Sequence, residues 1–181
     1  AMTWVKRVGS MYNSKSKQDA NSPKIASKMK SNPDMLPLLG VYILYINRDL
    51  AHLGAEDTAK LLKTLQEVCK GHDMTHKEIA GLHNLFVGVM HKGCGRRDEA
   101  MESLTTALEN KKKLSNDSVV PPYTYYEMGE LEYRRGNLDA AKAAFDEGQK
   151  WKGDGNETLA NRYAIAQKQL KKAMKEEAEK K

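Results

Sequence analysis

Residues 125–148 read YYEMGELEYRRGNLDAAKAAFDEG. Five positions in this stretch carry the same or a similar residue 41 positions earlier: Gly129, Gly136, Ala141, Phe145 and Gly148 repeat Gly88, Gly95, Ala100, Leu104 and Ala107. A second step of 41 residues reaches Gly54 and Ala59. These matches at one offset indicate an internal repeat. A period of this length is typical of an array of helical pairs, in which each pair buries its apolar face against its neighbours.

The residue types at the repeated positions have a packing reason. Gly129 lets the first helix of the pair approach a neighbouring backbone, and Gly136 can adopt the left-handed conformation that ends this helix. Ala141 and Gly148 leave room for crossing helices, while Phe145 fills the space between them. The sequence therefore predicts an all-α fold built from tandem helix-turn-helix pairs.

This arrangement resembles the tetratricopeptide repeat. The resemblance is carried by Tyr125-Tyr126-Glu127-Met128-Gly129 in helix A and by residues 136–148 in the turn and helix B. Glu132 stands where the family has a tyrosine, and Gly153 replaces its closing proline. HEAT and armadillo repeats, at about 40–47 residues, match the period better than tetratricopeptide repeats at about 34. The small residues at fixed positions nevertheless favour the tetratricopeptide interpretation, which implies a right-handed superhelix.

The chain divides into three predicted parts. Residues 1–32 form a basic N-terminal segment, partly helical or flexible, residues 33–155 form three tetratricopeptide-like helical pairs, and residues 156–181 form a C-terminal capping helix. In the first pair, apolar residues from Leu36 to Leu53 predict one long helix that Gly54 ends. The last segment has a narrow apolar seam, which favours capping of the array, although a coiled-coil partner would fit the same seam. Its members are Leu159, Tyr163, Ala166, Leu170 and Ala173.

The order of these parts is similar to the C-terminal part of the tetratricopeptide repeat protein 39 family. The similarity is carried by Lys24-Ile25-Ala26 in a basic segment, the apolar helix Met35–Leu50, the repeat Pro122–Gly136 and the helix Asn156–Tyr163. The resemblance implies a non-enzymatic cytoplasmic adaptor, with some relatives at organelle surfaces. The opening Ala1-Met2 suggests the remnant of a removed tag, and so a fragment of a longer chain.

Several classes of chemistry have no sequence signature here. We find no phosphate-binding loop, dinucleotide fingerprint or nucleophile elbow, and no apolar run long enough to span a membrane. Cys69, His72 and His76 have a spacing seen in zinc sites, but structural zinc needs four closely arranged ligands and these residues straddle a helix start. We therefore expect no enzyme activity, no cofactor and no metal site.

The concave face of the predicted array offers a partner-binding groove. In tetratricopeptide arrays helix A lines this face, and its aromatic and aliphatic residues here favour a protein partner that docks a peptide or an amphipathic helix. The alternative is that the first helix or the N-terminal segment covers the groove. The predicted groove consists of Leu82, Leu85, Val89, Lys92, Tyr123, Tyr126, Glu130, Tyr133 and Arg134.

The net charge of +6 predicts a different kind of partner for the N-terminal segment. Residues 1–32 contain seven basic residues and a single acidic one, so the remainder of the chain is neutral. As an alternative function, this segment could bind nucleic acid or an anionic membrane surface. The candidate contacts are Lys6, Arg7, Lys15, Lys17, Lys24, Lys28 and Lys30.

Overall fold

The structure, a computed structural model, describes residues 32–151 and 157–179. These residues form eight α-helices that pack against one another. They are α1 (Met35–Ile46), α2 (Asp49–His52), α3 (Ala55–Val68), α4 (Lys77–Gly93), α5 (Arg97–Leu108), α6 (Val120–Arg135), α7 (Leu138–Gln149) and α8 (Glu157–Ala178). No strand occurs in these two ranges, so the predicted all-α class is confirmed. The basic candidate contacts from Lys6 to Lys30 lie outside the described residues, and their role stays a prediction.

Helices α4 and α6 end in the same way, 41 residues apart. Gly95 and Gly136 adopt the left-handed conformation, with φ of 78° and 82°. In each case the next residue donates its backbone N–H to a carbonyl in the last turn, from Arg96 to His91 at 2.9 Å and from Asn137 to Glu132 at 3.0 Å. This Schellman geometry satisfies carbonyls that the helix end would leave unpaired. The two glycines thus start two equivalent turns, one into α5 and one into α7.

The two helical pairs also share a close approach. A Cβ added at Gly88 in α4 would lie 2.8 Å from Cγ of Leu104 in α5, and one added at Gly129 in α6 would overlap the ring of Phe145 in α7. Leu104 and Phe145 are almost fully buried. Glycine at these two positions therefore lets α5 and α7 pack against the backbone of α4 and α6.

The N-terminal helices depart from this pattern. The helix predicted from Leu36 to Leu53 is broken, because α1 ends at Ile46 and Arg48 takes the left-handed conformation with φ of 68°. Such a backbone is uncommon for a residue with a Cβ. Gly54 does not end a helix either: its backbone is extended, and it precedes the first residue of α3. The first pair is consequently split into α1, α2 and α3.

Helix α1 packs on the helices of the two regular pairs through its aromatic side chains. The rings of Tyr42 and Tyr45 lie 5.9 and 5.2 Å from the ring of Tyr123 in α6, nearly perpendicular to it. Both also contact Phe86 in α4, at 6.5 and 6.0 Å between ring centroids. Edge-to-face contacts of this kind are favourable for aromatic side chains. Helix α1 is therefore part of the core.

Helix α8 buries most of the predicted seam. Leu159, Tyr163, Ala166 and Leu170 are buried, and α8 contacts α6 and α7. The Tyr163 hydroxyl donates a hydrogen bond of 2.5 Å to the carbonyl of Pro122 at the start of α6. Of the helices described, none combines the length and apolar character needed to cross a lipid bilayer.

Alanine at Gly129 tests the close approach, with Gly40 in α1 as the matched control. A Cβ at Gly40 would meet nothing within 4 Å. Replacing glycine by alanine within a helix stabilises the helix by about 1 kcal/mol at either position. We expect Gly129→Ala to unfold with a free energy lower than that of Gly40→Ala by about 1–3 kcal/mol, because it overpacks the Phe145 site. Urea denaturation followed by circular dichroism measures both values, and equal stabilities would contradict the close approach.

Candidate functional site

Part of the predicted groove is closed. Leu82, Leu85 and Tyr123 are at most 2% exposed, and Tyr123 contacts the aromatic side chains of α1. Tyr133 is half-buried and packs against the same core. A partner cannot reach Leu82, Leu85 or Tyr123 in this arrangement of the helices, whereas Tyr133 remains partly exposed. A binding role for the three buried side chains would require the helices packed around them to move.

The other five predicted residues line a cavity of about 440 Å³, here called the central cleft. They are Val89, Lys92, Tyr126, Glu130 and Arg134. The opposite wall comes from the α1–α2 region and from α8, and none of its residues belongs to the predicted groove. The most important of these are Tyr45, Arg48, Leu50, Leu53 and Arg162, and Glu127 of α6 completes the lining.

A buried carboxylate lies at the base of the central cleft. Glu127 is 3% exposed and forms an ion pair with Lys92 of α4. Its second oxygen, Oε1, accepts a hydrogen bond of 2.6 Å from the hydroxyl of Tyr45 in α1. Burial, and secondarily the Glu127 charge, raise the pKa of Tyr45 well above its usual value, so the phenol remains protonated as a donor. Glu127 therefore joins α1, α4 and α6 through charge-assisted contacts.

Arg162 joins α8 to the end of α1. Its Nη2 atom donates hydrogen bonds of 3.0 and 3.2 Å to the carbonyls of Tyr45 and Ile46. The guanidinium also lies over the Tyr45 ring, 4.9 Å from its centroid. A cation at a helix C-terminus is favourable. The two bonds engage the carbonyls of the last two residues of α1, and the carbonyl of Tyr45 also accepts the backbone N–H of Arg48 at 3.1 Å. Arg162 thus stabilises the early end of α1.

The charged side chains of the central cleft carry a positive excess. Four cations, Arg48, Lys92, Arg134 and Arg162, face two carboxylates, Glu127 and Glu130. Glu127 pairs with Lys92, and Glu130 lies 3.7 Å from Arg134. Among the residues that the structure describes, neither Arg48 nor Arg162 has a carboxylate partner within ion-pair distance. The uncompensated charge therefore belongs to these two arginines.

The cysteine and histidine residues do not form a second site. In residues 32–151 and 157–179, no group of three His, Cys, Asp or Glu side chains could hold a metal ion. Cys69 is a buried free thiol, and burial raises its pKa.

Neither a protein-family model nor a solved structure matches this chain.

The sequence contained a signal that Arg162 lies at a functional or structural site, but it contained none for Arg48. Arg162 directly precedes Tyr163 and follows Leu159 by three positions, so it lies at the edge of the apolar seam of α8. A charged residue beside a buried stripe needs a partner or a function. The role of Arg48 depends on the break between α1 and α2, which no residue pattern indicated.

Removal of the Tyr45 hydroxyl tests the importance of the buried carboxylate. Tyr45→Phe takes one donor from Glu127, and we expect the free energy of unfolding to fall by about 1–3 kcal/mol. Tyr133→Phe is the matched control, because the structure describes no hydrogen bond from its hydroxyl, and we expect it to change stability by less than about 0.5 kcal/mol. Chemical denaturation of both variants provides the comparison. Equal losses of unfolding free energy in the two variants would show that the Tyr45 hydroxyl does not stabilise the Glu127 carboxylate.

Proposed function

We propose that the chain is a tetratricopeptide-like scaffold, a non-enzymatic cytoplasmic adaptor that binds a segment of a protein partner. The equivalent ends of α4 and α6 and the matched contacts of Gly88 and Gly129 support the repeat interpretation. The apolar seam of α8, which packs on the last pair, supports its role as a capping helix. The free thiols of Cys69 and Cys94 fit a reducing compartment.

The central cleft is the docking site in this proposal, and its mixed lining is the observation that carries it. The cleft combines the apolar side chains of Leu50, Leu53 and Val89 with the cations described above. Leu53 is 37% exposed, so part of the apolar surface is accessible. Sites that bind a ligand specifically typically join such an apolar surface to a few polar groups.

The size of the central cleft limits what can bind there. A volume of about 440 Å³ accommodates a few side chains, but not the length of an amphipathic helix. Leu82 and Leu85, which would have received such a helix, are buried. The partner segment in this proposal is therefore a short peptide that inserts neighbouring side chains into the cleft.

Selection from a library of short random peptides displayed on phage tests this proposal. The selected peptides are synthesised and titrated into protein with labelled Leu and Val methyl groups. We expect the chemical shift changes to centre on Leu50, Leu53 and Val89. Leu53→Gln should weaken binding about fivefold or more, because it removes apolar contact surface.

The control is Ile165→Gln, at a residue of α8 that is 55% exposed and does not line the central cleft. We expect this variant to bind like the unmodified protein. If shift changes fall outside the cleft, or both variants weaken binding equally, the cleft is not the docking site. If no peptide is enriched, the proposal of a peptide-binding scaffold fails.

A further inference from the structure

Arg162 has an unused hydrogen-bond donor at the central cleft. The side chain is 7% exposed, and its Nε atom has no hydrogen-bond partner among the described residues. A buried donor without an acceptor is costly, and such groups are rare in folded proteins. Nε is also enclosed, so a group in the cleft does not reach it. Nη1 of the same guanidinium forms no described hydrogen bond and is not enclosed in this way, so it is the donor that a group in the cleft can meet.

Arg48 adds a second unpaired cation to the same cleft. It is exposed, it lines the cleft, and the structure describes no carboxylate bonded to it. Its left-handed backbone, with φ of 68°, costs about 1 kcal/mol or more for a residue other than glycine. Glycine would adopt this backbone conformation without strain. Arginine at this position therefore lowers the stability of the turn between α1 and α2, which a binding role of its side chain would explain.

The ligand group that fits these two arginines carries a single negative charge. Nη2 of Arg162 is already bonded to the carbonyls of Tyr45 and Ile46 and Nε is enclosed, so Nη1 is the donor that remains for a ligand. A phosphoryl group requires several donors and carries nearly two charges. Glu127 and Glu130 lie in the same cleft and would repel a dianion more strongly than a carboxylate.

We infer that the central cleft binds an acidic peptide, with an Asp or Glu side chain of the peptide accepting a hydrogen bond from Nη1 of Arg162 and pairing with Arg48. An apolar neighbour in the peptide contacts Leu50 and Leu53. This inference rests on the proposed docking function and names the chemistry of its ligand. The carboxylate comes from a side chain within the peptide.

Two phage libraries test the inference. One contains all amino acids, and the other lacks Asp and Glu. Each displayed peptide is joined to the coat protein through its C-terminus, so side chains supply its only carboxylates. We expect the unmodified protein to enrich peptides with an acidic residue from the first library and to enrich few from the second.

The best peptide is then synthesised with a blocked N-terminus and an amidated C-terminus. Replacement of its acidic residue by the matching amide should weaken binding about tenfold or more, as should Arg162→Gln in the protein. Arg97→Gln is the matched control, because Arg97 is exposed and lies outside the cleft. In protein with isotope-labelled arginine, the Nε–Hε signal that disappears in Arg162→Lys should shift on binding.

Arg48→Gln keeps the experiment decisive if Arg162→Gln unfolds, because the side chain of Arg48 forms no described hydrogen bond. We expect Arg48→Gln to weaken binding of the acidic peptide about threefold or more and to leave binding of its amide version unchanged. Equal enrichment from the library without acids, at the cleft, would overturn the acidic ligand and leave the docking function intact. Tighter binding when a phosphoserine replaces the acidic residue would also overturn it, in favour of a phosphopeptide. Absence of any cleft-dependent peptide would overturn both proposals.

Discussion

The contacts of the buried Glu127 carboxylate are the constraint on which the arrangement of the helices depends. A charge at 3% exposure is very unfavourable without partners, and its partners come from two other helices. Lys92 of α4 supplies a cation, and Tyr45 of α1 supplies a neutral hydroxyl. Because the phenol stays protonated, it neutralises no charge but satisfies a carboxylate oxygen. If helix α1 left its position, the Glu127 carboxylate would lose the Tyr45 hydrogen bond and would become either exposed to water or incompletely hydrogen-bonded.

This constraint explains why the predicted groove and the central cleft differ. The aromatic side chains of α1 pack on Phe86 and Tyr123, and Leu82 and Leu85 of the predicted groove are buried. The early end of α1, stabilised by Arg162, then leaves a space beside Lys92 that α2 does not fill. The central cleft is therefore a consequence of the break after Ile46, and its two unpaired arginines come from that break and from α8.

The sequence was sufficient for features that depend on local or periodic signals. The glycines at 95 and 136 indicated the ends of α4 and α6, and the repeat indicated that Gly129, and Gly88 in the same register, allow a close approach of helices. The all-α class followed from the same pattern. Since these signals lie within one pair of helices, they can be identified without knowledge of the rest of the chain.

The central cleft depends on contacts between distant residues, and no pattern in the sequence indicates them. Tyr45 and Glu127 are 82 positions apart, and Arg162 lies 117 positions from Tyr45. Each side chain has other plausible partners when considered alone. The end of α1 at Ile46 was also missed, because Asn47 and Arg48 interrupt the apolar pattern without a glycine or proline.

Native-state hydrogen exchange of α1 tests the central claim most directly, which is that α1 is a fixed part of the core and confines docking to the central cleft. The account predicts that amides from Leu38 to Tyr45 are protected to a degree similar to those around Leu85 in α4 and Leu131 in α6. Exchange of α1 many times faster than that of α4 and α6 would contradict it. Such a result would mean that α1 opens as a lid and that the groove beneath it, including Leu82 and Tyr123, is available to a partner.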